Sequence, residues 1–121
     1  MAKKILTLNQ ISVKGLERLP RDCYEIASEF THPDAILLRS HTLRAEDIPD
    51  SVLAIGRAGA GVNNIPVMEC TRRGIPVFNS PGANANAVKE LVATALLLGS
   101  RGVIEGIRYV DTLAAVEDKA E

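Results

Sequence analysis

The sequence predicts an α/β fold in which a parallel sheet is flanked by helices, and two observations carry that prediction. Short apolar runs of strand length recur at residues 3–8, 34–39, 52–55 and 75–79, and stretches with helical spacing or capping residues lie between them. Strand and helix alternating in this way build βα units, whose strands run parallel. The run Asp34-Ala35-Ile36-Leu37-Leu38-Arg39 is also continuously apolar between its charged ends, as a strand buried on both faces would be.

The elements follow in order. Residues 3–8 form a first strand, apolar with Thr7 inside it. Ser12 or Asn9 caps a short helix over 13–19, with Leu16 and Leu19 at helical spacing and a stop before Pro20. Residues 24–27 make a second strand and 34–39 a third, followed at once by Ser40, His41 and Thr42. Residues 45–48 form a helical turn ended by Pro49, and 52–55 form the strand that feeds a glycine-rich loop over 56–64.

Pro66 then opens a helix carrying Val67, Met68 and Cys70, since proline has no N–H to leave unsatisfied in a first turn. Arg72 and Arg73 suit the helix dipole at its end, with Gly74 at the C′ position. The strand at 75–79 belongs near an edge because of Pro76. After a turn-rich stretch, Val88, Leu91, Val92, Ala95, Leu96 and Gly99 fall on one face of a long helix, capped by Asn84 or Asn86. That face reads as core or interdomain packing. Gly99-Ser100-Arg101-Gly102 punctuates, and a second helix places Val103, Ile107, Val110 and Ala114 on one side, in part an oligomer surface. Residues 117–121 read as that helix still running, with no glycine or proline to end it.

Composition narrows the function classes. The chain has 121 residues, 46% of them hydrophobic and 24% charged, which suits a globular domain with a real core. A net charge of −1 gives no argument for binding nucleic acid or an anionic membrane, and 3% aromatic content supplies no base-stacking platform. The apolar run at 5–8 is too short for a secretory signal and that at 91–98 too short for a membrane span. Cys23 and Cys70 form no metal-ligand cluster and read as buried, reduced thiols of a cytoplasmic protein.

The glycine loop, Gly56-Arg57-Ala58-Gly59-Ala60-Gly61-Val62-Asn63-Asn64, is the stretch richest in chemistry. Its small residues let backbone N–H groups approach a ligand, and a strand–loop–helix junction can form an anion nest. Arg57 adds a fork of donors suited to carboxylate or phosphate. Two nucleotide motifs fail here. A dinucleotide fingerprint needs a third glycine where Asn64 stands and an acidic residue about twenty positions on, and a P-loop needs lysine where Val62 stands. In parallel sheets ligands sit outside the carboxyl ends of the strands. Arg39, the 56–64 loop and residues 79–84 each follow a strand, so they are expected to converge on one edge as an anion site.

Three stretches, read together, resemble a known family. They are Gly59-x-Gly61-Val62-Asn63-Asn64-Ile65, then Arg73-Gly74-Ile75-Pro76-Val77, then Asn79-Ser80-Pro81-Gly82-Ala83-Asn84 with Val88-Lys89-Glu90. In this order they are similar to the N-terminal, substrate-side portion of the D-2-hydroxyacid dehydrogenases, over nearly the whole chain. The resemblance implies a flavodoxin-like substrate-binding domain over 1–98. Residues 99–121 would then be an interdomain or dimerisation helix, cut before an NAD-binding Rossmann domain. It implies that Ala58, Gly59, Ala60, Gly61 and Val62 meet the substrate carboxylate through backbone N–H groups, and that Arg39 and Arg57 reach a substrate phosphate. Asn84 falls near the substrate, and Ala60 and Val88 near the nicotinamide. Asn63 is often Asp in the family. Ala60 can be Thr, so only its backbone is expected to reach the cofactor.

The resemblance further implies an NAD-dependent oxidation of a small anionic 2-hydroxy acid, 3-phosphoglycerate in serine biosynthesis being the expected substrate. The family's dinucleotide fingerprint and its catalytic Arg, Glu and His have no counterpart in this sequence. The chain alone is therefore expected to be inactive, and the complete protein to be a homo-oligomer. His32 and His41 read as surface or loop residues, because nothing in the sequence pairs either with a carboxylate. The competing class is a non-enzymatic small-anion-binding or dimerisation module. A phosphorelay receiver is disfavoured, since no strand ends in Asp.

Overall fold

The computed structural model describes residues 1–114; the helix end expected at 117–121 lies outside the described residues. The chain falls into two compact units, Met1–Ala83 and the segment from Asn84 onward.

The first unit is a five-stranded sheet built from β1 (Lys3–Leu8), β2 (Tyr24–Ala27), β3 (Ala35–Leu38), β4 (Ala54–Arg57) and β5 (Val77–Phe78). All pairings are parallel, in the order β2-β1-β3-β4-β5, which is the flavodoxin-like arrangement. The two short helices are α1 (Val13–Leu16) and α2 (Val67–Arg72), with a 3-10 turn at Ala45–Asp47.

Register sorts the side chains onto two faces that are covered very differently. Leu6 pairs with Ile36, Ile36 with Ile55, and Ile55 with Val77, so these four share one face. On it Ile36, Leu38 and Ile55 are fully buried, packed with Leu43, Ile48, Val52, Ile65, Cys70 and Ile75. The opposite face carries buried Ile5, half-buried Ala35, Leu37, Ala54 and Gly56, and Phe78, which is exposed. Full burial of β3 on both faces is therefore not what the structure shows. A right-handed crossover for each parallel connection sends α1 to one side and the 3-10 turn and α2 to the other. The four residues of α1, none of them buried, are too few to cover their side.

Other boundaries shift for local reasons. The strand feeding the glycine loop begins at Ala54, not Val52: the Leu53 N–H donates to the Asp34 carbonyl (2.8 Å) and sets the register there. Val52 packs in the core ahead of it. Gly56 and Arg57 are consequently strand residues, the last two of β4. The first helix stops at Leu16 because Arg18 and Leu19 bond back only three residues, to Gly15 and Leu16, tightening the turn before Pro20. Helix α2 ends as expected. Gly74 is left-handed (φ 69°), its N–H donates to Thr71 and that of Ile75 to Cys70, a complete Schellman motif. Burial pushes the Cys70 thiol pKa upward, which suits an inert core thiol. Cys23 is exposed, not buried, because it precedes the edge strand β2.

The second unit comprises α3 (Ala85–Ser100) and α4 (Val103–Leu113), separated by left-handed Gly102. Asn84 occupies the N-cap position of α3, although its side chain makes no capping bond; Asn86 donates instead to Glu90 (3.0 Å). No described residue of either helix is buried, so Leu91, Val92, Leu96 and Leu97, expected as packing residues, are exposed in this chain.

One ion pair ties the sheet's entry edge. The Asp34 carboxylate accepts from Lys3 Nζ (2.7 Å) and from the Lys4 backbone N–H (2.8 Å), immediately before β3. The Lys3 hydrogen bond foremost, then that backbone donor, holds the Asp34 pKa below the ordinary aspartate range. A depressed carboxylate contributes stability that is fully present above its unfolded pKa and is lost as pH falls through its folded pKa. Denaturant unfolding at stepped pH is therefore expected to show stability falling on the acid side of the ordinary aspartate range. Lys3→Ala should flatten that fall, and an unchanged acid limb in this variant would remove Asp34 as its source.

Candidate functional site

Strands β3, β4 and β5 lie side by side and point the same way, so their exit loops share one edge of the sheet. Hydrogen bonds join those loops. The Ala58 N–H donates to the Leu38 carbonyl (2.8 Å), carrying the ladder one residue past β4. From the β5 side, the Ser80 N–H donates to the Gly59 carbonyl (3.0 Å), Ser80 Oγ to the Arg57 carbonyl (3.3 Å) and Asn79 Nδ2 to the Ala60 carbonyl (2.7 Å).

Arg57 therefore stands on a ladder residue, opposite Leu38, and not on a free loop. Its Nε donates to Asn64 Oδ1 (3.0 Å), and the guanidinium folds over Gly59. A methyl group added at Gly59 would collide with Arg57 Nη1 and lie 3.1 Å from Cζ; one at Gly61 would lie 3.3 Å from Asn63 Oδ1. Absent side chains at these positions thus make room for an arginine of the same chain. Gly56 is needed elsewhere: a Cβ there would come within 2.8 Å of Leu37 Cδ2. Leu37, Gly56 and Phe78 line a cleft of about 280 Å³ with Ile11, Arg57, Ala58, Asn79 and Ser80.

Asn64 joins the two arginine-bearing segments. Its Nδ2 donates to the carbonyls of Arg39 (3.1 Å) and His41 (2.6 Å), while its own carbonyl accepts the Leu43 N–H (2.9 Å). The amide has one chemically consistent orientation, with oxygen toward a donor and nitrogen toward two acceptors.

Backbone donors in the loop divide into two sets. The Ala58 N–H goes to Leu38 and the Gly59 N–H to the Arg57 carbonyl (2.9 Å). Among the described residues, nothing accepts from the N–H groups of Ala60, Gly61 and Val62. Three successive unclaimed donors beside a guanidinium suit a small anion such as carboxylate or phosphate. Of the five loop positions expected to offer N–H groups, Ala58 and Gly59 have spent theirs internally, leaving Ala60 to Val62.

The remaining expected residues are placed as follows. Arg39 is exposed, one residue beyond β3, with its carbonyl held by Asn64. Asn84 and Val88 belong to the second unit, Asn84 at the N-cap and Val88 half-exposed on α3. His32 and His41 are exposed, and neither is paired with a carboxylate among the described residues.

The positioning roles of Asn64 and Asn9 escaped the sequence reading, which places residues 79–80 at this edge. Asn9 is left-handed (φ 72°), and its Oδ1 accepts the N–H groups of Ser40 (3.1 Å) and His41 (2.5 Å). It thereby occupies the crevice between β1 and β3, where the strand order reverses and ligands commonly sit in such sheets. The unclaimed donors lie one strand further along. Asparagine in an otherwise apolar, glycine-rich setting is the signal these residues share, since each has both a donor and an acceptor to satisfy.

A dinucleotide does not fit this loop. The following helix begins only at Val67, after Pro66, which has no N–H, and it is six residues long. Asn64 stands at the third glycine position of the fingerprint, with its amide already committed. No step of chemistry can be routed through a pyrophosphate held here.

A flavodoxin-like sheet with an anion-suited loop at its carboxyl edge defines an α/β domain, and comparison with known proteins gives its family. Residues 2–120 match the family model described as D-isomer specific 2-hydroxyacid dehydrogenase, catalytic domain, and the chain belongs to this family. It is 44% identical over 71 residues to the D-3-phosphoglycerate dehydrogenase of Escherichia coli strain K12, covering 56% of this chain and 17% of that protein. It is 37% identical over 89 residues to that of Archaeoglobus fulgidus, covering 71% of this chain and 17% of that protein. The chain thus spans less than a fifth of the curated relatives it matches. Among solved structures, NAD+-bound 3-phosphoglycerate dehydrogenase of Entamoeba histolytica is similar with a TM-score of 0.69 and 26% identity, over 82% of this chain and 39% of that one. A 2-hydroxyacid dehydrogenase of Ketogulonicigenium vulgare Y25 is similar in fold, with a TM-score of 0.75 at 22% identity, over 99% of this chain and 43% of that one.

The role assigned to Gly59 has a direct check. Gly59→Ala drives the guanidinium off the loop and breaks its bond to Asn64, an expected loss on the order of 1–2 kcal/mol in unfolding free energy. Gly15, in α1, has nothing within 4 Å of an added Cβ. Gly15→Ala should be neutral or stabilising by about 0.5–1 kcal/mol. Gly59 also has a φ of 158°, so denaturant titration of Gly59→Ala in the wild type and on an Arg57→Ala background decides it, and an equal cost on both would remove Arg57 as the reason for glycine at 59.

Proposed function

We propose that this chain is the substrate-binding part of an NAD-dependent D-3-phosphoglycerate dehydrogenase, which oxidises 3-phosphoglycerate at C2 to 3-phosphohydroxypyruvate in serine biosynthesis. The observation that carries the reading is the loop after β4, with three unclaimed N–H groups at Ala60, Gly61 and Val62 beside an anchored guanidinium. Membership of the 2-hydroxyacid dehydrogenase family and the phosphoglycerate dehydrogenase relatives support the substrate class.

In this reading the loop N–H groups hold the substrate carboxylate, and Arg57 and Arg39 hold its phosphate as bidentate or single charge-assisted hydrogen bonds. Fixing both anionic ends leaves C2 and its hydroxyl as the free part of the molecule, which orients it for reaction. The backbone of Ala60 lines the nicotinamide side. The nicotinamide, when bound, accepts the hydride from C2. The pyrophosphate-binding glycines and the acid–base pair come from residues other than those of this chain, since the glycine loop is unsuited to a dinucleotide and His32 and His41 have no carboxylate partner among the described residues. A cytoplasmic location accords with this chemistry.

Two expected outcomes test the reading. The purified 121-residue chain, mixed with 3-phosphoglycerate and NAD, is expected to form no NADH, and absorbance growth at the nicotinamide wavelength would refute the division of labour. In the complete enzyme, Arg57→Ala should raise the KM for 3-phosphoglycerate by about 10-fold or more. Unphosphorylated 2-hydroxy acids should be much less affected; equal loss for both substrate classes would exclude phosphate contact as the role of Arg57.

A further inference from the structure

We infer that Asn64 is a positioning residue, and that the ability of the site to tell a phosphorylated ligand from an unphosphorylated one depends on it through Arg57. The inference rests on the reading of Arg57 as the phosphate contact.

The hydrogen-bond inventory of Asn64 is what carries it. An asparagine side chain offers two N–H hydrogens and an acceptor oxygen. Both hydrogens go to backbone carbonyls, those of Arg39 (3.1 Å) and His41 (2.6 Å), and the oxygen receives Arg57 Nε (3.0 Å). A rotated amide would set NH₂ against the Nε–H and oxygen against two carbonyls, so the side chain is locked in one orientation. With its donors spent, the Asn64 side chain has none to offer a ligand. It acts by holding something that has.

Arg57 is left in a defined state. Its guanidinium carries five N–H donors, of which Asn64 engages the one on Nε, and the four on the two Nη atoms are the ones a phosphate would use. The same bond holds Nη1 over Gly59, on the loop where Ala60, Gly61 and Val62 have unclaimed N–H groups. A long arginine otherwise loses rotamer freedom when it binds. Ordering it beforehand removes that loss from the binding step. Because the amide also grips the Arg39 carbonyl, one side chain sets the exit of β3 against the end of β4.

The test is a double-mutant cycle on the 121-residue chain with 3-phosphoglycerate and D-glycerate as probes, their dissociation constants read by titration calorimetry or NMR. Wild type is expected to favour 3-phosphoglycerate, and Asn64→Ala to lower that preference about 10-fold. On an Arg57→Ala background the same Asn64→Ala change should alter the preference by less than about 2-fold. An equal factor on both backgrounds would show that Asn64 only supports the fold, and would overturn the inference.

Asn64→Asp keeps an acceptor for Nε but loses both donors and sets a negative charge beside the guanidinium, so it should hold Arg57 in place while costing stability and weakening both anionic probes. If Asn64→Ala does not fold, Asn64→Leu, of similar volume and with no polar side-chain atom, replaces it in the comparison with the same expected factors. The ligand-free ¹H–¹⁵N signal of Arg57 Nε is the independent readout: it should move to the position of an unconstrained arginine in Asn64→Ala and stay near its own in Asn64→Asp. Should wild type fail to distinguish the two probes, the phosphate reading of Arg57 falls. The positioning claim is then decided by that signal alone, and an unmoved resonance in Asn64→Ala would refute it.

Discussion

Every strand of the sheet runs in the same direction, and the rest of the first unit follows from that constraint. Parallel neighbours cannot be joined by a tight turn, so each connection crosses a face of the sheet and brings covering residues with it. The same direction puts all carboxyl ends on one edge, which is why the segments after β3, β4 and β5 meet although they are far apart in sequence. Connections of unequal length then divide the work of burial unequally. Residues 43–75 cover one face well enough to exclude solvent from Ile36, Leu38 and Ile55, while the four-residue α1 leaves the other with half-buried Leu37 and exposed Phe78.

At the loaded edge the governing problem is polar satisfaction. A backbone leaving a strand must find partners for its N–H and C=O groups or leave them to solvent or a ligand. Here the accounting is uneven in an informative way. Carbonyls of Arg57, Gly59 and Ala60 are taken by Ser80 and Asn79, and those of Arg39 and His41 by Asn64, whereas the consecutive N–H groups from Ala60 to Asn64 remain unclaimed among the described residues. A loop with more donors than acceptors left open favours negative charge. Its glycines serve that end indirectly, by clearing space for a guanidinium instead of a phosphate chain.

Much of this was legible from residues alone. β1 and β2 fall where hydrophobic runs predict them, and Pro66 and Gly74 bracket α2 because missing donors and left-handed turns are local properties. Convergence of the three exit loops followed from strand direction. Asn64 was not legible, because its value lies in two carbonyls 25 and 23 residues away and in the Nε of Arg57. Asn9 was mistaken for a possible helix cap for the same reason; its partners, Ser40 and His41, lie 31 and 32 residues away. The start of β4 depended on the Asp34 carbonyl of the neighbouring segment, a fact absent from the apolar run itself.

The amino-acid sequence by itself determined the α/β class, the parallel sheet and the family, since hydrophobic period, proline and glycine act over a few residues. Only the tertiary structure decided which face of β3 is sealed, that Arg57 is a strand residue and not a loop residue, and which N–H groups stay open. Each of those outcomes depends on the partner a group meets across the sheet, and that partner is chosen by register. The residue that spoils the nucleotide fingerprint, Asn64, is the one that register turns into the anchor of the arginine.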